Sequence, residues 1–158
     1  DLALRVRFPP LEDSDLVMRV LAESRQRLVA SPALLAAYPR PHLPDDLAGL
    51  PSLDWGPPRD HRWCLDGPDG AHTEVAHRPR YVTDDMHALH QAALQGVGIV
   101  QLPYMVVEAD LARGDLLDIL SQWAPRTGIV HAVFPSRRGI LPAVRALLDY
   151  LSANVGEA

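Results

Sequence analysis

DLVMRVLAESRQRLVASPALLAAY occupies residues 15–38, and the fold turns on how it is read. Two readings of residues 16–30 compete. Leu16, Val20, Leu21 and Leu28 suit one face of a helix. Leu16–Leu21 and Arg27–Ala30 suit equally well two strands joined across Glu23, Ser24 and Arg25, and periodicity alone does not choose between them. The end of the stretch is plainer. Ser31 is a good N-cap, and Pro32 at the first helical position loses no useful donor. A helix therefore starts there, runs through Tyr38 and stops before Pro39.

Upstream, Leu2, Leu4, Val6 and Phe8 alternate with Asp1, Ala3, Arg5 and Arg7, the pattern of a half-buried strand that Pro9-Pro10 ends. Downstream, Pro44–Leu47 reads as a short helical turn closed by Gly49. Residues 51–79 hold short apolar islands around the turn Asp66-Gly67-Pro68-Asp69-Gly70, which predicts strands flanking a hairpin. A strand follows at 80–83. Thr83 or Asp84 then caps a helix through Gln95, with Gly96 as its stop. Ile99–Leu102 reads as a short buried strand, Tyr104–Arg113 as a helix closed by Gly114, and Leu116–Leu120 and Ile129–Phe134 as strands. In the last helix, Leu141–Val155, the residues Val144, Leu147, Leu148, Leu151 and Val155 form one apolar stripe. Strands alternating with helices predict an α/β fold with mostly parallel sheets.

The bulk properties narrow the function. A length of 158 residues suits about one domain, and 47% hydrophobic residues supply a core. Fifteen basic residues, all arginine, against 20 acids give a net charge of −5, a poor match to nucleic acid. A single cysteine, Cys64, excludes a disulfide framework and a cysteine-based zinc cage. No apolar run approaches the ~18 residues of a membrane span, and the first residues do not form a signal peptide. The chain opens on Asp1 rather than Met, so it is expected to be a piece of a longer protein.

The order of segments carries a resemblance: DLALRV at 1–6, LVASPALL at 28–35, PDDLAGL at 44–50, GVGIVQLP at 96–103, ARGDLLDIL at 112–120, HAVFPSRRG at 131–139 and VRALLDYL at 144–151. Together these resemble the effector-binding domain of LysR-type transcriptional regulators, over essentially the whole chain. The resemblance implies a two-lobed, periplasmic-binding-protein-like α/β fold. Residues 16–30 would then be strands, with one crossing near Arg25–Ala30 and the return near Gly128–Phe134. Lobe I would comprise 1–25 and 128–158, and lobe II 26–127. Against the family pattern, the winged helix-turn-helix, the linker helix and the early part of lobe I are not in this sequence. Lobe I is therefore incomplete, and the stripe of residues 144–155 is expected to be largely uncovered. The family further implies a bacterial, cytoplasmic, non-enzymatic regulator that needs no cofactor and works as a homo-oligomer, a dimer or tetramer. DNA would be bound only through the absent N-terminal domain. The alternative is a small-molecule binding protein of a transport system.

Candidate site residues follow from residue chemistry and from the resemblance. Arg5 follows an apolar strand directed toward the crossover, where its planar, always-charged fork would meet a carboxylate effector in the inter-lobe cleft; the competing reading pairs it with Asp1 or Asp15. By resemblance the turn Leu53–Pro58 contributes Trp55, Gly56 and Pro57 as a cleft wall, with Trp55 either stacking on a ligand or packed on the rim of lobe II. At the next helix start Asp84 reads as the cap, while Asp85 or Met86 faces the cleft. By resemblance the return strand lines the pocket, which adds Val130 and His131. His87 and His90, with Asp84 and His77 near in sequence, could hold a metal, but solvated surface histidines are the better reading. Arg137-Arg138 reads as a solvated loop. Ser31 and Ser136 lack a catalytic partner, and Gly96-x-Gly98 lacks the third glycine of a dinucleotide loop.

Overall fold

The computed structural model describes residues 2–9, 16–56, 60–134 and 141–155. Its contacts divide the chain into two units, Asp1–Arg25 with Thr127–Ala158, and Gln26–Arg126. The deciding stretch is two strands, β2 (Val17–Ser24) and β3 (Gln26–Ala30), with Arg25 between them. The chain thus passes from one unit to the other inside an extended segment.

In the first unit, β11 (Gly128–Phe134) lies between β1 (Ala3–Arg7) and β2, antiparallel to both. Helix α4 (Pro142–Asn154) covers one face. Leu148 is 2% exposed and packs with Ala132 and Phe134, and Leu2, Val17, Leu21 and Val144 close around them. Arg19 pairs with Asp149 at 2.9 Å and pins the helix to β2. The stripe of α4 is covered in part: Leu148 is buried, Val144, Leu151 and Val155 are half-buried, and Leu147 is exposed. Apolar side chains of the first strand are uncovered as well. Leu4, Val6 and Phe8 are 54%, 52% and 45% exposed, so the strand predicted to be half buried has no layer over it among the described residues.

The second unit is built on β3, which pairs antiparallel with β8 (Val100–Pro103) and β9 (Leu117–Asp118). Leu28 and Ala30 face a core with Leu34, Leu47, Trp63 and Leu65, whereas Val29 faces one with Leu53, Leu89 and Val107. Helix α1 (Pro32–Ala37) follows directly, and Ser31 Oγ accepts from Leu34 N at 3.2 Å, the predicted cap. The hairpin β5 (His61–Asp66) and β6 (His72–His77) turns at Gly67–Ala71, and β10 (Ala124–Pro125) joins its outer edge. Strands β4 (Ser52–Trp55) and β7 (Pro79–Thr83) run parallel. Helix α2 (Met86–Leu94) packs on this pair, and α3 (Tyr104–Arg113) packs on β8. Gly98 lets the chain before β8 approach β4: a Cβ there would lie 3.0 Å from Ser52 backbone atoms.

The α/β class stands, but the sheets are not mostly parallel. Among the described strands only β4 with β7 and the Ser52–Ile99 bridge are parallel. Hairpins and the return strand give antiparallel neighbours, while β4 and β7 can run parallel because a whole hairpin separates them in sequence. The strand expected at Leu116–Leu120 shrinks to two residues. Leu120 takes a positive φ of 57°, and its carbonyl accepts from Trp123 N at 2.7 Å, which turns the chain away.

Candidate functional site

The predicted site residues fall into two groups, one in each unit. In the first, Arg5 sits opposite His131, and His131 opposite Val20, so these side chains share one face of the sheet. Val130, the next residue on the strand, faces the other side with Val6. Arg5 is exposed at the middle of β1 rather than at its carboxyl end, so the strand-end argument for placing it does not hold. His131 is buried, and its Nδ1–H donates to the Ile129 carbonyl at 3.1 Å.

In the second unit Trp55, Gly56 and Asp85 gather at the carboxyl end of the parallel pair, where ligands of open α/β folds bind. Trp55 ends β4 and is 41% exposed. Gly56 turns the chain there with φ +95°, a conformation costly for any other residue, and donates its N–H to the Thr83 carbonyl at 3.1 Å. Pro57 lies outside the described residues, as do Asp1, Asp15, Ser136, Arg137 and Arg138. The cap of α2 is Asp85, not Asp84. Its Oδ1 accepts from His87 N and Ala88 N at 2.9 and 3.1 Å, and the Thr83 hydroxyl receives its own N–H. One oxygen of Asp85 is thus committed to the helix. Met86 is half-buried against the core beneath α2.

The histidines separate. His87 is exposed, as expected. His90 is not a solvated side chain: its Nε2–H donates to Asp110 Oδ2 at 2.6 Å, and Arg113 holds the other oxygen, which ties α2 to α3. His77 belongs elsewhere, in a cluster that linear reading missed. Its Nδ1 pairs with Ser52 Oγ at 2.8 Å, its ring stacks on Trp63 with centroids 3.8 Å apart, and His61 donates to Asp54 beside it. The hairpin register holds the clue, because His61 and His77 are partners across it, equidistant from the turn. Burial holds His77 far below its usual range, at about 4, with the Asp54 charge opposing that shift and His61 adding to it. His77 is therefore neutral at pH 7. Ser52 is fully buried, and burial, together with Glu74, pushes the Cys64 thiol up, so neither is an exposed activated nucleophile. Among the described residues no group of three or more His, Cys, Asp or Glu is arranged to hold a metal, and no helix is long and apolar enough to cross a membrane.

An α/β chain in two units, joined through the consecutive strands β2 and β3 and with polar residues at the carboxyl ends of parallel strands, has the architecture of ligand-binding domains of the periplasmic-binding-protein type. The family model of the LysR substrate binding domain matches residues 1–156, and the chain belongs to that family. It is 32% identical to the HTH-type transcriptional regulator CrgA of Neisseria meningitidis serogroup B, over 99% of this chain and 52% of that protein. It is also 32% identical to the HTH-type transcriptional regulator PtxR of Pseudomonas aeruginosa, over 99% of this chain and 49% of that protein. Among solved structures, the CrgA regulatory domain from N. meningitidis matches with TM-score 0.74 and 31% identity, covering 99% of this chain and 75% of that one. The regulatory domain of an AphB variant from Vibrio vulnificus matches with TM-score 0.82 and 25% identity, covering 97% and 75%. The chain spans about half the length of the curated relatives it matches.

Proposed function

We propose that this chain is the ligand-sensing, effector-binding part of a LysR-type DNA-binding transcriptional regulator, and that it acts as a sensor rather than an enzyme. The observation that carries the reading is the family match over residues 1–156, joined to relatives that are themselves HTH-type transcriptional regulators. The effector is a small organic acid held in the cleft between the lobes. Arg5 and His131 contribute from one lobe, and Trp55, Gly56, Pro57, Asp85 and Met86 from the other. Val130, on the opposite face of its strand, positions its neighbour rather than touching the ligand. Binding one lobe arrangement better than another shifts the geometry of a homo-oligomer, dimer or tetramer, in the cytoplasm. DNA is bound by a separate helix-turn-helix domain; the net charge of −5 here suits a part that does not touch it.

A thermal-shift screen of carboxylates on the full-length protein, followed by Arg5→Ala and Asp85→Ala, tests the site. Losing a charge-assisted hydrogen bond from Arg5 should weaken the best ligand about ten- to a hundredfold. Unchanged affinity in Arg5→Ala makes that residue structural. Loss of binding only in Asp85→Ala means that the effector is cationic or neutral. A transport protein is the second reading; sequence-specific DNA binding by the full-length protein decides against it.

A further inference from the structure

A separate hollow lies wholly within the second unit, on residues that the effector reading does not use. It has a volume of about 740 Å³, within the range of small-molecule sites. Arg80 and Val82 line it from β7, with Pro79 at the start of that strand and Arg78 just before it. Leu50 and Pro51 add apolar wall, and the end of the β5–β6 hairpin closes the hollow with His61, Arg62 and His77.

The charge in this hollow is one-sided. Among the described residues three arginines line it against one acid, Asp60, while His77 is neutral. Arg62 is only loosely engaged, 3.4 Å from Glu74 with both side chains half exposed. Arg80 donates to the Tyr38 hydroxyl at 3.1 Å, a neutral partner that orients the guanidinium without cancelling its charge. Arg78 has no acid partner among the described residues. The wall also holds an unmet polar atom: Nε2 of the fully buried His77 has no hydrogen-bond partner among the described residues, with Asp54 too far away at 3.7 Å. Arg78 and Arg80, neither with an acid partner among the described residues, beside Leu50, Pro51 and Val82 suit a molecule with a carboxylate at one end and an apolar body at the other, because the guanidinium fork matches a carboxylate's two oxygens.

We propose that the hollow between Arg78, Arg80, Leu50 and the His61–His77 hairpin end is a second small-molecule site, and that it takes an organic carboxylate. Every described lining residue belongs to the second unit.

Calorimetric titration of the full-length protein with benzoate, phthalate and citrate, and with benzyl alcohol as the neutral comparison, tests this. Saturable binding of at least one of the three carboxylates is expected. That binding should weaken about tenfold or more in Arg78→Ala and in Arg80→Ala, less in Arg78→Lys, and not at all in Arg5→Ala. Both arginines are exposed, so unchanged thermal midpoints of the variants are expected to exclude misfolding. Three outcomes overturn the proposal: no saturable binding of any of these carboxylates, equal binding of benzyl alcohol and benzoate, or carboxylate affinity that Arg78 and Arg80 do not affect. Loss confined to Arg5→Ala assigns the carboxylate to the effector site and leaves the hollow without a ligand.

Discussion

Strands β1 and β3 have similar apolar content and opposite fates. In β3, Leu28, Val29 and Ala30 are all fully buried, because helices and sheets cover both faces. In β1 every residue is exposed, although Leu4, Val6 and Phe8 repeat with the period of a half-buried strand. A hydrophobic period records which face a strand could bury. Whether it is buried depends on a second layer, and α4 covers only the part of the first sheet near Ala132 and Phe134.

The largest expected effect follows from β3. Leu28→Ala opens a cavity under a fully buried strand and should cost the 158-residue chain about 2–5 kcal/mol in urea unfolding. A loss below about 1 kcal/mol would show that the core around β3 collapses freely.

The same contrast explains what the sequence could and could not reveal. Strand β3 defeats pattern reading because burial on both faces erases the period-2 signal. Its strand character came only through the family resemblance. Ser31-Pro32 was legible because capping is local chemistry, and so were the ends of α3. The parallel sheets were overestimated because strand pairing depends on partners far apart in sequence, such as β11 between β1 and β2. In the site, the cap of α2 was misplaced by one residue, since Thr83, Asp84 and Asp85 offer three adjacent capping side chains and only geometry chooses Asp85. His90 was misread because its partner, Asp110, comes from another helix.

His77, buried against Trp63 and Ser52 in the second unit, adds a pH dependence. The folded chain holds His77 neutral down to about 4, while the unfolded chain takes up its proton near 6.5. Its contribution to stability is therefore fully present above about 6.5 and is lost as pH falls toward about 4. His77→Phe retains a ring on Trp63 and removes the titration. The stability difference between wild type and variant should shrink or reverse across that window, as measured by urea midpoints at several pH values. A difference that stays flat with pH contradicts this account of His77.

Smaller effects sharpen the comparison. Ser31→Ala removes the cap of α1 and should cost about 1 kcal/mol, read as a lower thermal midpoint. Val6→Ala on exposed β1 should change the stability of the 158-residue chain by less than about 0.5 kcal/mol. A loss near that of Leu28→Ala would mean that β1 is covered in solution.

In the proposed function, a small acid bound to this chain changes how the full-length regulator sits on DNA. The direct measurement is a DNA footprint of the full-length protein with and without the tightest carboxylate from the thermal-shift screen. The account predicts that the carboxylate lengthens, shortens or shifts the protected segment, and that Arg5→Ala abolishes the change while DNA binding persists. A footprint that no bound carboxylate alters would contradict it.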